Sequence, residues 1–259
     1  MSLSFKEAPK IMYPNTLLYG PPKTRKTTGA CSMPGGLLLM NLDLPNASHY
    51  ARSTDPDGRI MEIDFKGMES LIDVVLALEA QGEGPERVVE SVVVDTVGDL
   101  HRRLLEGESN RAIRPTLNQY GDVAVHIERF CRRLCELPVN VCIVCHEYPV
   151  KDETTGGMER LPWTGTTNPS LGSKLMSMVD IVGFTGVVRQ DDGRAVYRTQ
   201  LISEHGRRGG ERFAGVLGEF PETDLGQWIE TIHAHTQVPK PKPTAVPKAK
   251  KSTPQEVVA

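Results

Sequence analysis

Apolar residues in this chain fall mostly in short continuous runs rather than in strict alternation with polar ones. Thr16-Leu17-Leu18-Tyr19 ends at Gly20, and Leu37-Leu38-Leu39-Met40, Val92-Val93-Val94, Val141 to Cys145 and Ile181 to Val188 come after it. Short apolar runs between turn residues read as strands buried on both faces. Arg59 to Ile63 is a weaker strand of the same kind. Between the runs the period becomes helical. Met68, Leu71, Ile72, Val75 and Leu78 share one face up to a stop at Gly82. Val123, Ile127, Phe130 and Leu134 mark a longer helix that Pro138 ends. Asp191-Asp192-Gly193 is a hairpin turn leading into a strand from Ala195 to Ile202. Buried strands interleaved with helices predict an α/β domain, with a mostly parallel sheet covered on both faces and an antiparallel hairpin at one edge.

The pattern stops near Thr236, so the predicted core is 1–236. Residues 237–259 carry five prolines and five lysines against Glu256 alone. Such a segment buries too little apolar surface to offset its ordering entropy, and it reads as a disordered, extended tail. The tail is either a basic arm for phosphates or a solvated spacer. The whole chain has net charge −3, so any nucleic-acid contact must come from local basic patches. No apolar run approaches the roughly 20 residues that span a bilayer. Met1 to Glu7 lacks the apolar stretch of a secretory leader, so the expected location is cytoplasmic, with no membrane partner. Cys131, Cys135, Cys142, Cys145 and His146 invite a zinc reading. Three-residue spacing on a strand, however, points Cys142 and Cys145 to opposite faces, which favours buried thiols.

The chemistry concentrates after the first run. Gly20-Pro21-Pro22-Lys23-Thr24-Arg25-Lys26-Thr27-Thr28 matches a phosphate-binding loop at its first glycine, its lysine and its hydroxyl. Such a loop needs converging backbone N–H groups, a cation for the outer phosphates and a hydroxyl for Mg²⁺. Lys26 and Thr27 supply the last two. Asp95, closing the Val92–Val94 run, is the carboxylate expected to share the Mg²⁺ with Thr27. The plain alternative is a chance turn with a surface Lys-Thr pair. Arg25 stands where this motif has glycine, so its side chain must point away from the phosphates or crowd them. That bears on γ-phosphate positioning, and hence on hydrolysis, more than on binding.

With these features in order, the sequence resembles the RecA-like ATPases, and among them the small bacteriophage ATPases of the single-strand-annealing type. The resemblance spans residues 10 to 220. It rests on the loop at 20–28, Asp95, the segment Leu38 to Asp43, and the segment Cys142 to Glu147 with the polar stretch that runs on to Asn168. It implies a RecA-like core that binds ATP with Mg²⁺. Asp43 would orient the attacking water and His146 would sense the γ-phosphate; the alternatives are a loop carboxylate and a structural histidine. It further implies a single-stranded-DNA loop at 147–168, carrying Lys151, Arg160 and Trp163, with Arg111 and Arg114 in a second such region. Asp152, Glu153 and Glu159 dilute the first loop's charge, and a solvated lid is its alternative reading. The family's rings and filaments place a basic residue against the neighbour's γ-phosphate, for which Arg207, Arg208 and Arg212 are candidates. The implied partners are single-stranded DNA and further copies of the chain. A different reading makes the protein a nucleotide-dependent loader acting on a replicative helicase or single-strand-binding protein. A third makes it a protein that binds ATP without hydrolysing it.

Overall fold

The apolar runs all become strands. In a computed structural model these are β1 (Asn15–Gly20), β2 (Leu37–Asn41), β3 (Ile60–Glu62), β4 (Ser91–Asp95), β5 (Asn140–Lys151), β6 (Met158–Trp163), β7 (Ile181–Arg189), β8 (Ala195–Gln200) and β9 (Gly210–Glu211). The helices are α1 (Lys26–Ala30), α2 (His49–Ser53), α3 (Met68–Ala80), α4 (Val97–Glu108), α5 (Leu117–Glu136), α6 (Ser170–Met178) and α7 (Leu225–Thr236). The structure describes residues 12–236 except 44–45, 47–48, 54, 56, 83–86, 109–113, 152–155 and 167.

The sheet runs β3-β2-β4-β5-β1-β7-β8, with β6 paired to β5 and β9 to β7. Contacts from β3 through β7 along this path are parallel, whereas β6, β8 and β9 are antiparallel additions. This is the RecA-like P-loop arrangement, in which β5 separates the phosphate-loop strand β1 from the carboxylate strand β4. All of β1 and β4 and the first six residues of β5 are buried, as continuous apolar runs require. Leu17, Val92, Val94 and Ile143 face a core completed by α3, α4, α5 and α6. Leu18, Leu39, Val93 and Val144 face the other, completed by Ala30 of α1, Ala51 of α2 and Trp228, Ile229 and Ile232 of α7. Ile143 lies in β5 between β1 and β4 with no exposed surface, so truncating it to alanine would cost about 2–5 kcal/mol.

Helix ends obey local chemistry. Thr116 caps α5 and forms a reciprocal capping box with Gln119, and the helix stops two residues before Pro138. The cysteines divide as the strand period requires. Cys131 and Cys145 join one core face and Cys142 the other, and burial pushes all three thiols up. None of the described helices is long and apolar enough to cross a membrane.

One expectation is overturned. The segment read as a loop from 147 begins as a hairpin, because β5 continues to Lys151 and pairs with β6 from His146↔Trp163 to Lys151↔Met158. Pro149 and Pro162 concealed the strands, since proline usually marks a strand's edge or end. The pairing holds through side chains as well, with Arg160 donating to Glu147 at 2.7 Å across the ladder. The expected tail, 237–259, lies outside the described residues.

Candidate nucleotide site

β1 delivers the chain to the loop at Gly20, which sits opposite His146 on β5. Gly20 has φ of +147°, and a Cβ there would lie 2.5 Å from the Thr185 carbonyl of β7, so only glycine fits. Lys23 and Arg25 are both left-handed, at φ 65° and 61°. For residues with a side chain this costs roughly 1–3 kcal/mol each, and such alternation turns successive N–H groups to one side as an anion nest. Thr24 anchors the turn. Its Oγ1 donates to the Pro21 carbonyl (2.9 Å) and lies 2.7 Å from Thr185 Oγ1, itself fully buried on β7. Thr185 is a loop-positioning residue that the motif alone does not reveal.

Lys26 is 6% exposed and donates to the carbonyls of Gly20 (3.1 Å) and Pro21 (2.6 Å). Burial lowers its pKa, opposed first by Asp95. Thr27 Oγ1 donates to Asp95 Oδ2 at 2.5 Å. Asp95 ends β4 and is 3% exposed. Burial pushes its carboxyl up to about 6, Thr27 and Lys26 pull it down, and Asp43 and Asp99 push it further up. A buried carboxyl beside a hydroxyl, in a field that disfavours its charge, is a fitting seat for a hard cation. Thr27 and Asp95 therefore suit Mg²⁺, and Lys26 with the nest suits the phosphates it would accompany.

Arg25 does not crowd this cradle. Its guanidinium carbon lies 4.3 Å from the ring centroid of Tyr197 on β8, a cation–π contact. Pro22 and Lys23 are exposed, and Thr28 is half-buried in the first turn of α1.

At the carboxyl ends of β2 and β5 the two residues assigned to water and γ-phosphate come together with a third. Ligand atoms of Asp43, Asp99 and His146 all lie within 4.8 Å of one another. No motif marks Asp99, although four residues past Asp95 is one turn into the helix that β4 feeds. Thr96 Oγ1 donates to its Oδ2 (2.7 Å) and Arg102 to its Oδ1 (3.0 Å). Arg103 donates to the Asp43 carbonyl at 3.1 Å, tying that loop to α4. Burial, then Lys26, lowers the His146 pKa, so the ring is neutral near pH 7.

The remaining candidates are dispersed. Lys151 is exposed at the end of β5, and Arg160 is paired with Glu147. Trp163 is half-buried, its ring 6.5 Å from His146 and close against Gly98 of α4. Arg114 is exposed before α5, and Arg111 lies outside the described residues. Arg207 lies 4.5 Å over the Phe184 ring. Arg208 donates twice to Glu159, at 2.6 and 3.0 Å, and Arg212 donates to Asp180 at 3.1 Å.

One similar solved structure is the KaiC-like protein PH0186 from Pyrococcus horikoshii OT3, at 11% identity and TM-score 0.45, covering 77% of this chain and 83% of that one. Another is a prototypical ATPase from the type III secretion system of pathogenic bacteria, at 11% identity and TM-score 0.44, covering 67% of this chain and 51% of that one. No curated protein matches. A family model described as an AAA domain matches residues 12–212, well over half of the chain. With that match joined to the loop of Lys26 and Thr27 and the carboxylate of Asp95, the chain belongs to the AAA domain family, as a nucleotide-binding P-loop ATPase domain with a RecA-like fold.

Proposed function

We propose that the protein hydrolyses Mg·ATP and uses the nucleotide state to control binding of single-stranded DNA, in recombination or annealing of the bacteriophage type that its sequence resembles. The observation that carries this is the convergence of Lys26, Thr27, Asp95, Asp43, Asp99 and His146 on one edge of the sheet. Mg²⁺, when bound, neutralises charge on the phosphates. Lys26 grips the outer phosphate oxygens, and Thr27 with Asp95 holds the metal. Asp43 accepts a hydrogen bond from the attacking water, with Asp99 beside it fixed by Thr96 and Arg102. His146, neutral, donates its one ring N–H to an outer phosphate oxygen. Because β5 continues from His146 to Lys151 without a break, a shift of the imidazole is transmitted directly into the β5–β6 hairpin. This supports the hairpin as the element that engages DNA, with the exposed Lys151 as its cation.

A specific observation favours the second reading, a loader acting on a protein partner. Arg160 and Arg208 are neutralised by Glu147 and Glu159, which lowers the phosphate affinity of the hairpin surface. Assembly of copies into a ring or filament belongs to both readings. Arg208 and Arg212 could serve a neighbour's site only by leaving Glu159 and Asp180. The deciding experiment is ATP turnover alone, with single-stranded DNA and with duplex. Stimulation by the single strand is expected. Turnover indifferent to DNA but raised by a helicase or single-strand-binding protein would replace the DNA reading with the loader, and no turnover at all would leave a binding protein.

A further inference from the structure

Arg25 is the position at which the loop departs from its motif, and the geometry points to a use for it. We infer that the cleft between α1 and β8 receives the base of the nucleotide, with Arg25 stacked on Tyr197 as the platform. This rests on the nucleotide reading above and extends it to the part of the ligand that the phosphate loop does not hold.

The cleft has a volume of about 380 Å³ and is lined by Arg25, Thr28, Gly29, Tyr197, Thr223 and Asp224 among others. That is within the range of small-ligand sites and large enough for a purine with its ribose. Thr28 and Gly29 come directly after Thr27 in α1, so the cleft shares this helix and Arg25 with the phosphate loop. Its far wall is built to stand close. A Cβ on Gly29 would lie 2.6 Å from the Thr223 carbonyl, so glycine lets segment 222–224 approach α1. The same segment is pinned to β8, since Thr223 N donates to the Tyr197 carbonyl at 3.2 Å and Thr223 Oγ1 meets Thr199 Oγ1 at 2.9 Å.

The floor has the chemistry for a planar heteroaromatic. A guanidinium whose carbon lies 4.3 Å from the centroid of a tyrosine ring is a cation held in place, against which a base stacks at little cost in side-chain entropy. Among the described residues no carboxylate pairs with Arg25, so its N–H donors remain for ribose or base acceptors. Glu222 and Asp224, in the segment that adjoins Tyr197, add carboxylate acceptors to the lining for a base's exocyclic amine, Asp224 beside the bond its Oδ1 accepts from Gln227 N at 3.0 Å. A side chain that merely tied the loop to β8 would need none of this neighbouring space.

The test separates base from phosphates by using inorganic tripolyphosphate as the probe of the cradle alone. Calorimetry in Mg²⁺ compares ATP with tripolyphosphate for the parent, Tyr197→Leu and Tyr197→Phe, both outside the phosphate loop. The parent is expected to prefer ATP by about ten- to a hundredfold, the range of one stacked base. Tyr197→Leu should bind tripolyphosphate as the parent does and lose most of the preference for ATP, whereas Tyr197→Phe, which keeps the ring under Arg25, should retain it. An ATP preference retained in Tyr197→Leu would overturn the assignment. So would a parallel loss of both ligands, which would make the pair a loop anchor. A parent that binds neither ligand would bring down the phosphate-site reading itself, a distinct failure.

Discussion

Substituting Gly98 tests whether the hairpin and the nucleotide edge are mechanically joined. Gly98 is the second residue of α4, three past Asp95, and a Cβ there would lie 2.5 and 2.6 Å from Cε3 and Cζ3 of Trp163. Those separations are far inside van der Waals contact, so in Gly98→Ala the indole must move, carrying the end of β6 with it. Forcing a methyl into a packed contact costs about 1–3 kcal/mol, and replacing glycine by alanine in a helix returns about 1 kcal/mol. The net is a destabilisation of about 0–2 kcal/mol, or a fall in Tm of up to about 8 °C for a chain of this size. The chain has two tryptophans, Trp163 and Trp228, so 5-fluorotryptophan labelling gives two ¹⁹F resonances. Gly98→Ala should shift the Trp163 resonance and leave that of Trp228, which is buried against the other face of the sheet. Trp163→Leu removes the clashing ring edge, so the double variant should show favourable coupling of about 1 kcal/mol. Mg·ATP affinity should persist, while turnover falls because His146, 6.5 Å from the ring, loses its neighbour's position. An unchanged Trp163 resonance with no coupling would show that the ring is not docked on α4, and the proposed transmission from site to hairpin would fail with it.

Three further outcomes are expected from the same geometry. Lys26→Ala should abolish measurable Mg·ATP affinity by calorimetry while the apo protein stays folded, because the ammonium is buried and its loss relieves a desolvated charge; unchanged affinity would refute the phosphate site. Asp95 has its folded pKa raised to about 6, so its contribution to apo stability is present below its unfolded value near 4 and is lost as pH rises through about 6. In EDTA, Asp95→Asn should therefore be more stable than the parent at pH 7.5, by at most about 3 kcal/mol, with the advantage shrinking toward pH 4 while Mg²⁺-dependent ATP affinity is lost; equal pH profiles in calorimetry would contradict this. Deleting residues 237–259 should leave ATP binding and Tm unchanged but give single-strand binding a shallower salt slope, as fewer lysines engage phosphates; identical slopes would show that the segment is not a DNA-binding arm.

Much of the fold was legible because its strands are buried on both faces. A strand such as Val92–Val94 has no solvent side, so its sequence cannot alternate and is hard to mistake. The phosphate loop was legible for a different reason. Its candidate ligands are adjacent in sequence, and Gly20 is imposed by contact with β7. The β5–β6 hairpin was not legible, because its outer parts face solvent and carry Pro149 and Pro162, and the ladder that forms it joins residues 147–151 to 158–162. Local propensity argues against strand there, and cross-strand pairing overrides it.

Sequence alone settled the chain's α/β class and pointed to Lys26 and Thr27 of the loop and Asp95 at the end of its strand as the candidate ligands, since each depends on neighbours along the chain or on burial that composition records. That Asp99 joins Asp43 and His146, that Thr185 holds the loop and that Arg25 turns onto Tyr197 follow from the three-dimensional fold. These contacts cross up to 172 residues, from 25 to 197. No local period or motif encodes them. They arise because β1 lies between β5 and β7, which brings the carboxyl ends of strands distant in sequence to one edge of the sheet.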